Sequence, residues 1–317
     1  MAVFRVPQDF GSIVQAVAAV QSGDTILVCP GVYHQTVIIP NDKPGIRIIA
    51  DSDRVILDGL SRMAAAFLIQ GNNTEIKGFT IQNYLVAGIR ASAPSGVIFL
   101  SGTKLIHNRI INISPGAGIE VLGTFATLIW QNQVSGCGAN GINLQARDTW
   151  VVANQIDTNH GNGIAALTQT TVGNMMIDNR VTDNGMNGIA DSAGFNLIYD
   201  NLISGNGIHG VHELSGQGPA GLVGNVISNN HESGIQLDTM GHMVTGNTIS
   251  GNLSGIRIEG DFNTIESNRI FGNRVSGITI GATASNNLVI RNQFNQNLPI
   301  ERINPRNDLI ENCGVPC

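Results

Sequence analysis

The chain has little charge, few aromatic residues and no long apolar run. Only 13% of its 317 residues are charged, 5% are aromatic, and the formal net charge is −6. Nucleic-acid-binding proteins usually carry a basic face, so this balance argues against a nucleic-acid partner. Because no run of about 18 apolar residues occurs, the sequence also predicts no membrane span. A hydrophobic fraction of 42% is typical of a folded globular chain.

Cysteine is scarce as well, with four residues in the chain. No CxxC pair or His/Cys cluster indicates structural zinc. Cys313 and Cys317, in "ENCGVPC", are spaced for a small disulfide loop, and two free thiols are the alternative. The start "MAVFRVPQDF" lacks the basic and apolar segments of a secretion signal, so the sequence predicts an intracellular protein or the mature form of an exported one.

Glycine and asparagine, by contrast, are abundant and recur at fixed spacing. The segments "NLISGNGIHGVHEL", "NVISNNHESGIQLD" and "NTISGNLSGIRIEG" each begin with Asn-x-hydrophobic, have Asn at the sixth place and reach Gly-Ile or Gly-Val soon after. A fixed period of this kind indicates a repeat architecture. The first asparagine recurs every 21 to 25 residues from Asn154 onward, and the whole series is Asn108, Asn132, Asn154, Asn179, Asn201, Asn225, Asn247, Asn268 and Asn292.

Each repeat contains three short, alternating apolar pieces separated by Asn and Gly, which predicts three strands joined by tight turns. A leucine-rich repeat is the alternative at this period, but its Leu-x-x-Leu-x-Leu frame and its helix-length segment are missing. We therefore predict an all-β fold, a parallel β-helix built as a solenoid of about 22-residue coils. Because neighbouring coils lie about 4.8 Å apart, equivalent asparagines are expected to stack in hydrogen-bonded ladders.

The predicted organisation is one domain with a cap at each end. Residues 1–22 are predicted to form an N-terminal cap with a short amphipathic helix, roughly Ser12 to Val20. Residues 23–297 are predicted to form the β-helix, and residues 298–317 a C-terminal cap or tail. A cap is expected because an open coil end would expose its core and unpaired backbone groups.

The segment "VPQDFGSIVQAVAAVQSGDTILVCPGVYHQTVII" and the Asn-x-Ile…Gly-Ile repeats resemble the right-handed parallel β-helix proteins of the pectin-lyase-like superfamily, with repeats of the carbohydrate-binding and sugar-hydrolase type. The resemblance covers nearly the whole chain. It implies a single-stranded right-handed β-helix, a carbohydrate polymer as partner, and a monomer or a homotrimer. The DPH motif of mannuronan epimerases, the calcium nonapeptide, the paired aspartates of polygalacturonases and the vWiDH stretch of pectate lyases are absent.

Residues two and four places after each repeat glycine are predicted to point out of the coil. In the second half of the chain these positions carry side chains capable of acid–base chemistry or ligand binding. Oxygen ligands there would suit Ca²⁺, with Arg257 as the alternative cation, and a solvated polar ladder is the alternative to both. The outward candidates are His212, Gln236 and Arg257 in one column, Asp238 and Glu259 in the next, and Asn143 and Gln145 in an earlier coil.

Three places after the glycine the side chain should point inward, yet two adjacent coils carry Asp191 and Glu213 there. Burial of two unpartnered carboxylates would be very costly. Either a β-bulge turns them outward, which Leu214 at the next place favours, or they share a proton or a cation. This interruption of an apolar row is the sharpest anomaly in the sequence.

Together these residues predict a carbohydrate-active enzyme that acts on an acidic or uronate-containing glycan by proton abstraction, of the lyase or epimerase type. His212 is predicted as the base or acid, Arg257 as the neutralising cation, and Glu213 with Asp191 as a base pair or ion site. Substrate contacts are predicted at His209, Gln236, Asp238, Glu259, Asn143 and Gln145.

Two alternatives stay open at this point. Hydrolysis by two carboxylates is one of them. The other is a non-enzymatic structural, surface or glycan-binding protein, in which His212, Glu213 and Asp191 would be dispensable. The side chains of copper-ligand type in the second half fall on different sides of the coil, which argues against a shared copper site; they are Met175, Met176, Met240, His242 and Met243.

Overall fold

A computed structural model describes residues 1–96, 99–168, 171–192, 194–214, 216, 218–295, 298–302 and 306–312. Cys313 and Cys317, for which a disulfide was one expectation, lie outside these residues. The chain divides into two compact units, Met1–Gly161 and Asn162–Cys317. Each unit is a stack of coils whose strands form three parallel sheets, here called A, B and C. Among the described residues, no helix has the length and apolar character needed to cross a membrane.

In each sheet of the first unit, the strands pair in chain order. Sheet A contains β1 (Val3–Val6), β2 (Thr25–Val28), β5 (Arg47–Ala50), β8 (Glu75–Lys77), β12 (Lys104–Ile106), β15 (Leu128–Trp130) and β18 (Trp150–Val152). Sheet B contains β3 (Gly31–Tyr33), β6 (Val55–Asp58), β9 (Thr80–Gln82), β13 (Arg109–Ile111), β16 (Gln133–Ser135) and β19 (Gln155–Asp157). Sheet C contains β4 (Val37–Ile39), β7 (Ala65–Ile69), β10 (Ala87–Ser92), β14 (Ala117–Phe125) and β17 (Ile142–Arg147), with β11 (Leu100–Ser101) paired to β14.

In the second unit the same three sheets recur. Sheet A contains β21 (Met175–Ile177), β24 (Leu197–Tyr199), β27 (Gly221–Val223), β30 (Met243–Thr245), β33 (Thr264–Glu266), β36 (Leu288–Ile290) and β39 (Asp308–Ile310). Sheet B contains β22 (Arg180–Thr182), β25 (Leu202–Ser204), β28 (Val226–Ser228), β31 (Thr248–Ser250), β34 (Arg269–Phe271) and β37 (Gln293–Asn295). Sheet C contains β20 (Ile164–Ala166), β23 (Ile189–Asp191), β26 (Val211–Glu213), β29 (Ser233–Leu237), β32 (Ser254–Ile258), β35 (Ser276–Ile280) and β38 (Leu298–Arg302).

The predicted all-β solenoid with one short helix is confirmed. The helix α1 (Ile13–Ala19) begins after Ser12, whose hydroxyl accepts a hydrogen bond from the backbone N–H of Gln15 at 3.1 Å. Lys43 closes its other end by donating to the carbonyls of Val17 and Ala18. The segments predicted as caps also contain solenoid strands, since β1 pairs with β2 at the start and β38 and β39 extend sheets C and A at the end.

Stacking explains why the repeat glycines are needed. At Gly234 a Cβ atom would lie 2.6 Å from Ile249 Cγ2 and 2.9 Å from Asn252 Nδ2, closer than carbon and nitrogen atoms pack. The residue after each repeat glycine then points into the core, where Val211, Ile235 and the equivalent isoleucines are fully buried. This fixes the alternation of inward and outward side chains along sheet C.

The predicted asparagine ladders are confirmed. In the column before sheet B, the backbone N–H of Asn225 donates to Asn247 Oδ1 at 2.8 Å, and Asn225 Nδ2 donates to the same oxygen at 2.9 Å. A second column, in the turn between sheets B and C, repeats this pattern, as at Asn206 and Asn230. A third column, which the sequence analysis missed, lies immediately before the sheet A strands of the second unit, as at Asn263 and Asn287.

Candidate functional site

The outer face of sheet C in the second unit carries most of the predicted side chains. His212 on β26, Gln236 on β29 and Arg257 on β32 are register partners on three successive coils, as predicted. Along β26, Val211 and Glu213 are buried while His212 is partly exposed. The pairing extends past β29, because the backbone N–H of Asp238 donates to the carbonyl of Glu213 at 2.9 Å. Asp238 is thereby positioned beside His212.

His212 and Asp238 form a close histidine–carboxylate pair. His212 Nε2 lies 2.7 Å from Asp238 Oδ2, and Gln236 Nε2 donates to Asp238 Oδ1 at 2.6 Å. Partial burial acts to raise the pKa of Asp238, but the hydrogen bonds from Gln236 and His212 and the electrostatic interaction with His212 and His209 outweigh it and lower that pKa. Asp238 is therefore an ionised carboxylate held at both oxygens.

This pairing fixes the tautomer of His212. An ionised carboxylate can only accept a hydrogen bond, so the proton of a neutral His212 lies on Nε2 and its Nδ1 is left as the basic atom. Nδ1 makes no hydrogen bond with the described residues. The arrangement is that of an imidazole oriented by a carboxylate with its second nitrogen free to take up a proton.

His209 lies directly against His212, with ring centroids 4.8 Å apart and planes at 73°. Its Nδ1 accepts the backbone N–H of Ser233 at 3.2 Å, and its Nε2 lies 3.4 Å from Glu232 Oε2. Burial, reinforced by the neighbouring His212, lowers the pKa of His209 to about 4. His209 is thus a neutral, packed side chain beside the His212 imidazole, and Glu232 is a contact that was not predicted from the sequence.

The two remaining candidates of this face pair with each other. Arg257 Nε donates to Glu259 Oε1 at 2.7 Å, and both side chains are partly exposed. Arg257 therefore places a positive charge on this face, and Glu259 partly neutralises that charge.

Asn143 and Gln145 belong to the first unit. They lie half-buried on the outer face of β17, where Asn143 is the register partner of Glu120. The neighbouring coils of that face carry an ion pair in which Arg90 Nε lies 3.5 Å from Glu120 Oε2.

Of the two alternatives for Asp191 and Glu213, the β-bulge is wrong. Ala166, Asp191, Glu213 and Leu237 pair in unbroken register, and both carboxylates have no exposed surface. They point to the interior, on the opposite side of sheet C from His212. The predicted grouping of His212 with these two acids on one face is therefore corrected: the alternation of the strand separates adjacent residues onto opposite faces.

Inside the coil, the two acids meet different partners. Asn196 Nδ2 donates to both oxygens of Asp191, at 3.0 and 2.9 Å. Glu213 Oε2 lies 3.9 Å from Nδ1 of His242, which the sequence analysis considered only as a copper-ligand type. Burial, and then the charge of Asp191, raises the pKa of Glu213 well above its ordinary value. Burial also lowers the pKa of His242 to about 4.

No group of three or more His, Cys, Asp or Glu side chains in the described part of the chain is arranged to hold a metal ion. Of the copper-ligand types, Met240 and Met243 are exposed whereas Met176 and His242 are buried. These side chains do not converge.

The profile of the right-handed beta helix region family matches residues 64–225, half of the chain. The chain belongs to the right-handed β-helix family. The right-handed, pectin-lyase-like architecture implied by the sequence resemblance is therefore confirmed. The profile described as periplasmic copper-binding protein (NosD) matches residues 206–309 of this right-handed β-helix protein. No curated protein matches this chain.

Several solved structures share the right-handed β-helix. The mannuronan C-5 epimerase AlgE6 A-module of Azotobacter vinelandii has a TM-score of 0.76 at 16% identity, over 99% of this chain and 100% of that one. The surface adhesin PfbA of Streptococcus pneumoniae has a TM-score of 0.68 at 11% identity, over 94% of this chain and 87% of that one. The catalytic unit of a GH87 alpha-1,3-glucanase from Streptomyces thermodiastaticus has a TM-score of 0.67 at 14% identity, over 94% of this chain and 64% of that one. At these identities the likeness shows the fold alone.

Proposed function

We propose that this right-handed β-helix protein is a carbohydrate-active enzyme that abstracts a proton from an acidic or uronate-containing glycan, with its site on the outer face of sheet C in the second unit. The observation that carries the proposal is the His212–Asp238 pair at 2.7 Å, with Gln236 holding the second carboxylate oxygen. The carbohydrate-active proteins among the structural neighbours, an epimerase and a glucanase, support the substrate class.

The geometry suits one step in particular. The hydrogen on the carbon next to a uronate carboxylate is weakly acidic, and Nδ1 of His212 can accept it as the electron pair moves into the carboxylate group. Asp238 then faces an imidazolium, whose charge it stabilises. Arg257 supplies positive charge on the same face for the developing enolate. Loss of the glycosidic oxygen from the adjacent ring carbon, as an alcohol that takes up a proton, would form a carbon–carbon double bond and give a lyase; return of a proton to the opposite face of the same carbon would give an epimerase.

Hydrolysis by an acid pair is less well supported. Asp191 and Glu213 are enclosed and cannot touch an external glycan. The exposed carboxylates Asp238 and Glu259 are already held, by His212 and by Arg257. They remain the ligands we propose for a Ca²⁺ ion, should the reaction require one.

A glycan-binding protein without catalysis is the second candidate. It is favoured by Arg257, which is bonded to Glu259 rather than free to meet a substrate carboxylate. In this reading the polar face of sheet C recognises a polymer through hydrogen bonds and leaves it unchanged.

The test is a screen of uronate polysaccharides, with and without Ca²⁺, for two products: unsaturated uronates, detected by ultraviolet absorbance, and deuterium incorporated from D₂O at the epimerised carbon. We expect His212→Ala to reduce either product by about 10²- to 10⁴-fold. Asp238→Asn, which keeps the shape of the side chain but removes its charge, should also reduce it. His231→Ala is the matched control, because His231 is an exposed turn histidine of the neighbouring coil.

Equal product formation by wild type and His212→Ala would remove the assignment of His212. Binding of a uronate polymer that is weakened by His212→Ala, with no product from any substrate, would instead support the binding protein. Absence of both binding and product across the screen would contradict the proposed function as a whole.

A further inference from the structure

The third polar column of the second unit has one rung missing. In this column the backbone N–H of one coil donates to the side chain of the next, as from Asn174 to Asn196 Oδ1 at 2.8 Å and from His242 to Asn263 Oδ1 at 2.9 Å. Ala220 occupies one place and has no side-chain acceptor. The column in chain order is Asn174, Asn196, Ala220, His242, Asn263, Asn287 and Asn307.

The coil before the gap has adapted to it. The backbone N–H of Asn196 would donate to the residue at place 220, and it has no acceptor among the described residues. The side-chain Nδ2 of Asn174 donates along the column to the next asparagine, whereas Nδ2 of Asn196 donates to both oxygens of Asp191. Asp191 therefore replaces the missing acceptor for the side chain of Asn196 but not for its backbone N–H.

The coil after the gap is also incompletely satisfied. His242 Nδ1 accepts the backbone N–H of Ala220 at 3.1 Å, so the proton of the neutral imidazole lies on Nε2. That Nε2 and both carboxyl oxygens of Glu213 have no hydrogen-bond partner among the described residues, and both side chains are about 1% exposed. Unsatisfied polar atoms this deep are rare and call for a partner.

The unsatisfied atoms specify what that partner is. It must accept from the N–H of Asn196, which a cation cannot do, and it must be able to donate to a carboxyl oxygen of Glu213. Replacement of an asparagine by alanine leaves out a carboxamide group, which is comparable in size to one water molecule, with its share of roughly 30 Å³ in the liquid. A buried water molecule meets each requirement of polarity, size and number of partners.

We propose that a water molecule occupies the missing rung at Ala220, accepts the N–H of Asn196 and donates to the buried carboxyl groups. This internal site lies on the opposite side of sheet C from His212 and is independent of the function proposed above. It also accounts for the pair of acids in the otherwise apolar inward row, because their oxygens form the wall of a hydrated gap.

Two measurements on the full-length protein test the site. A high-resolution crystal structure should show an ordered peak within hydrogen-bond distance of Asn196 N, and the amide proton of Asn196 should show an NOE to a long-lived water. Ala220→Asn should supply the missing acceptor, remove that peak and NOE, and raise the Tm by about 1 °C or more. The matched control Asn263→Ala opens a gap in the same column away from the acids, and should lower the Tm.

An empty gap in the wild-type density, without a water NOE at Asn196, would overturn the proposal. So would an anomalous-scattering peak showing that a metal ion fills the gap. A peak and an NOE that persist in Ala220→Asn would place the water elsewhere and would also overturn it. The wild-type measurements decide the matter even if the variant fails to fold.

Discussion

Substitution of Glu213 by glutamine should change how the stability of the protein depends on pH. Glu213 is enclosed, and burial together with the charge of Asp191 raises its pKa well above the ordinary 4.5. Its register neighbour on the next coil, Leu237, is apolar, so Asp191 and His242 are the titratable groups near it in the described structure. The folded protein therefore holds a protonated Glu213 at pH values where the unfolded chain has already released that proton.

The sign and size follow from this difference. Below pH about 4.5 both states are protonated and Glu213 contributes no pH dependence. As the pH rises from there toward the raised pKa, the unfolded state gains by ionising, and the free energy of unfolding falls by up to about 1.4 kcal/mol per pH unit. Glu213→Gln cannot ionise, so its stability relative to wild type should rise by the same amount per unit.

Urea unfolding of both proteins at several pH values between about 5 and 8 measures this effect. The titrations of His242 and His209 occur in both proteins and cancel in the difference. Glu266→Gln, at a partly exposed glutamate on the outer face of β33, is the control for removal of a carboxylate outside the coil interior. Parallel curves for wild type and Glu213→Gln, or a gap that widens toward low pH, would refute the assignment of a protonated Glu213.

Three further predictions concern the polar columns and the repeat glycines. The pKa of His242 is lowered from 6.5 to about 4, so the free energy of unfolding should fall by about 3 kcal/mol in all as the pH falls through this window. His242→Asn should abolish this decrease, measured by unfolding at pH 4.5 and 7. The same decrease in wild type and variant would contradict the prediction. Asn247→Ala removes a buried ladder acceptor and should lower the free energy of unfolding by about 1–3 kcal/mol in urea titrations. Gly234→Ala should cost about 1–3 kcal/mol through its close contacts, whereas Gly221→Ala, where a Cβ would meet only Leu197 Cδ1 at 3.3 Å, should cost clearly less; equal losses would undermine the steric argument.

The coil pattern could be predicted because stacking makes the sequence periodic. Each rung of a ladder needs the same side chain as the rung above it, so Asn225 and Asn247 recur at a visible spacing. The repeat glycines recur for a steric reason of the same kind. The outward register of His212, Gln236 and Arg257 followed directly from that frame and is confirmed.

The third column escaped prediction because its residue type changes along the chain. In the later coils of the first unit the equivalent place before sheet A holds buried threonines, and in the second unit it holds asparagines interrupted by Ala220 and His242. No single residue type marks it, so periodicity alone could not reveal it. The threonines are Thr74, Thr103, Thr127 and Thr149.

The β-bulge at Asp191 and Glu213 was one of two alternatives, considered because burial of two unpartnered carboxylates would be very costly. Asp191 is bonded to Asn196, five residues along the chain, and the raised pKa of Glu213 leaves it neutral. These compensations depend on which side chains face one another across the coil interior, and one sequence gives that only after the register of every column is known.

The asparagine ladders of each unit have a direction. In the column before sheet B, each of these rungs donates its backbone N–H to the C-terminal neighbour and accepts on its amide oxygen from the N-terminal neighbour, as Asn201, Asn225 and Asn247 do in sequence. A cut between two coils therefore produces unlike ends in this column: the upstream fragment keeps hydrogen-bond donors without acceptors, and the downstream fragment keeps acceptors without donors. Two such ends are complementary, so a whole coil could be removed or duplicated at matching rungs and the polar seam would close again.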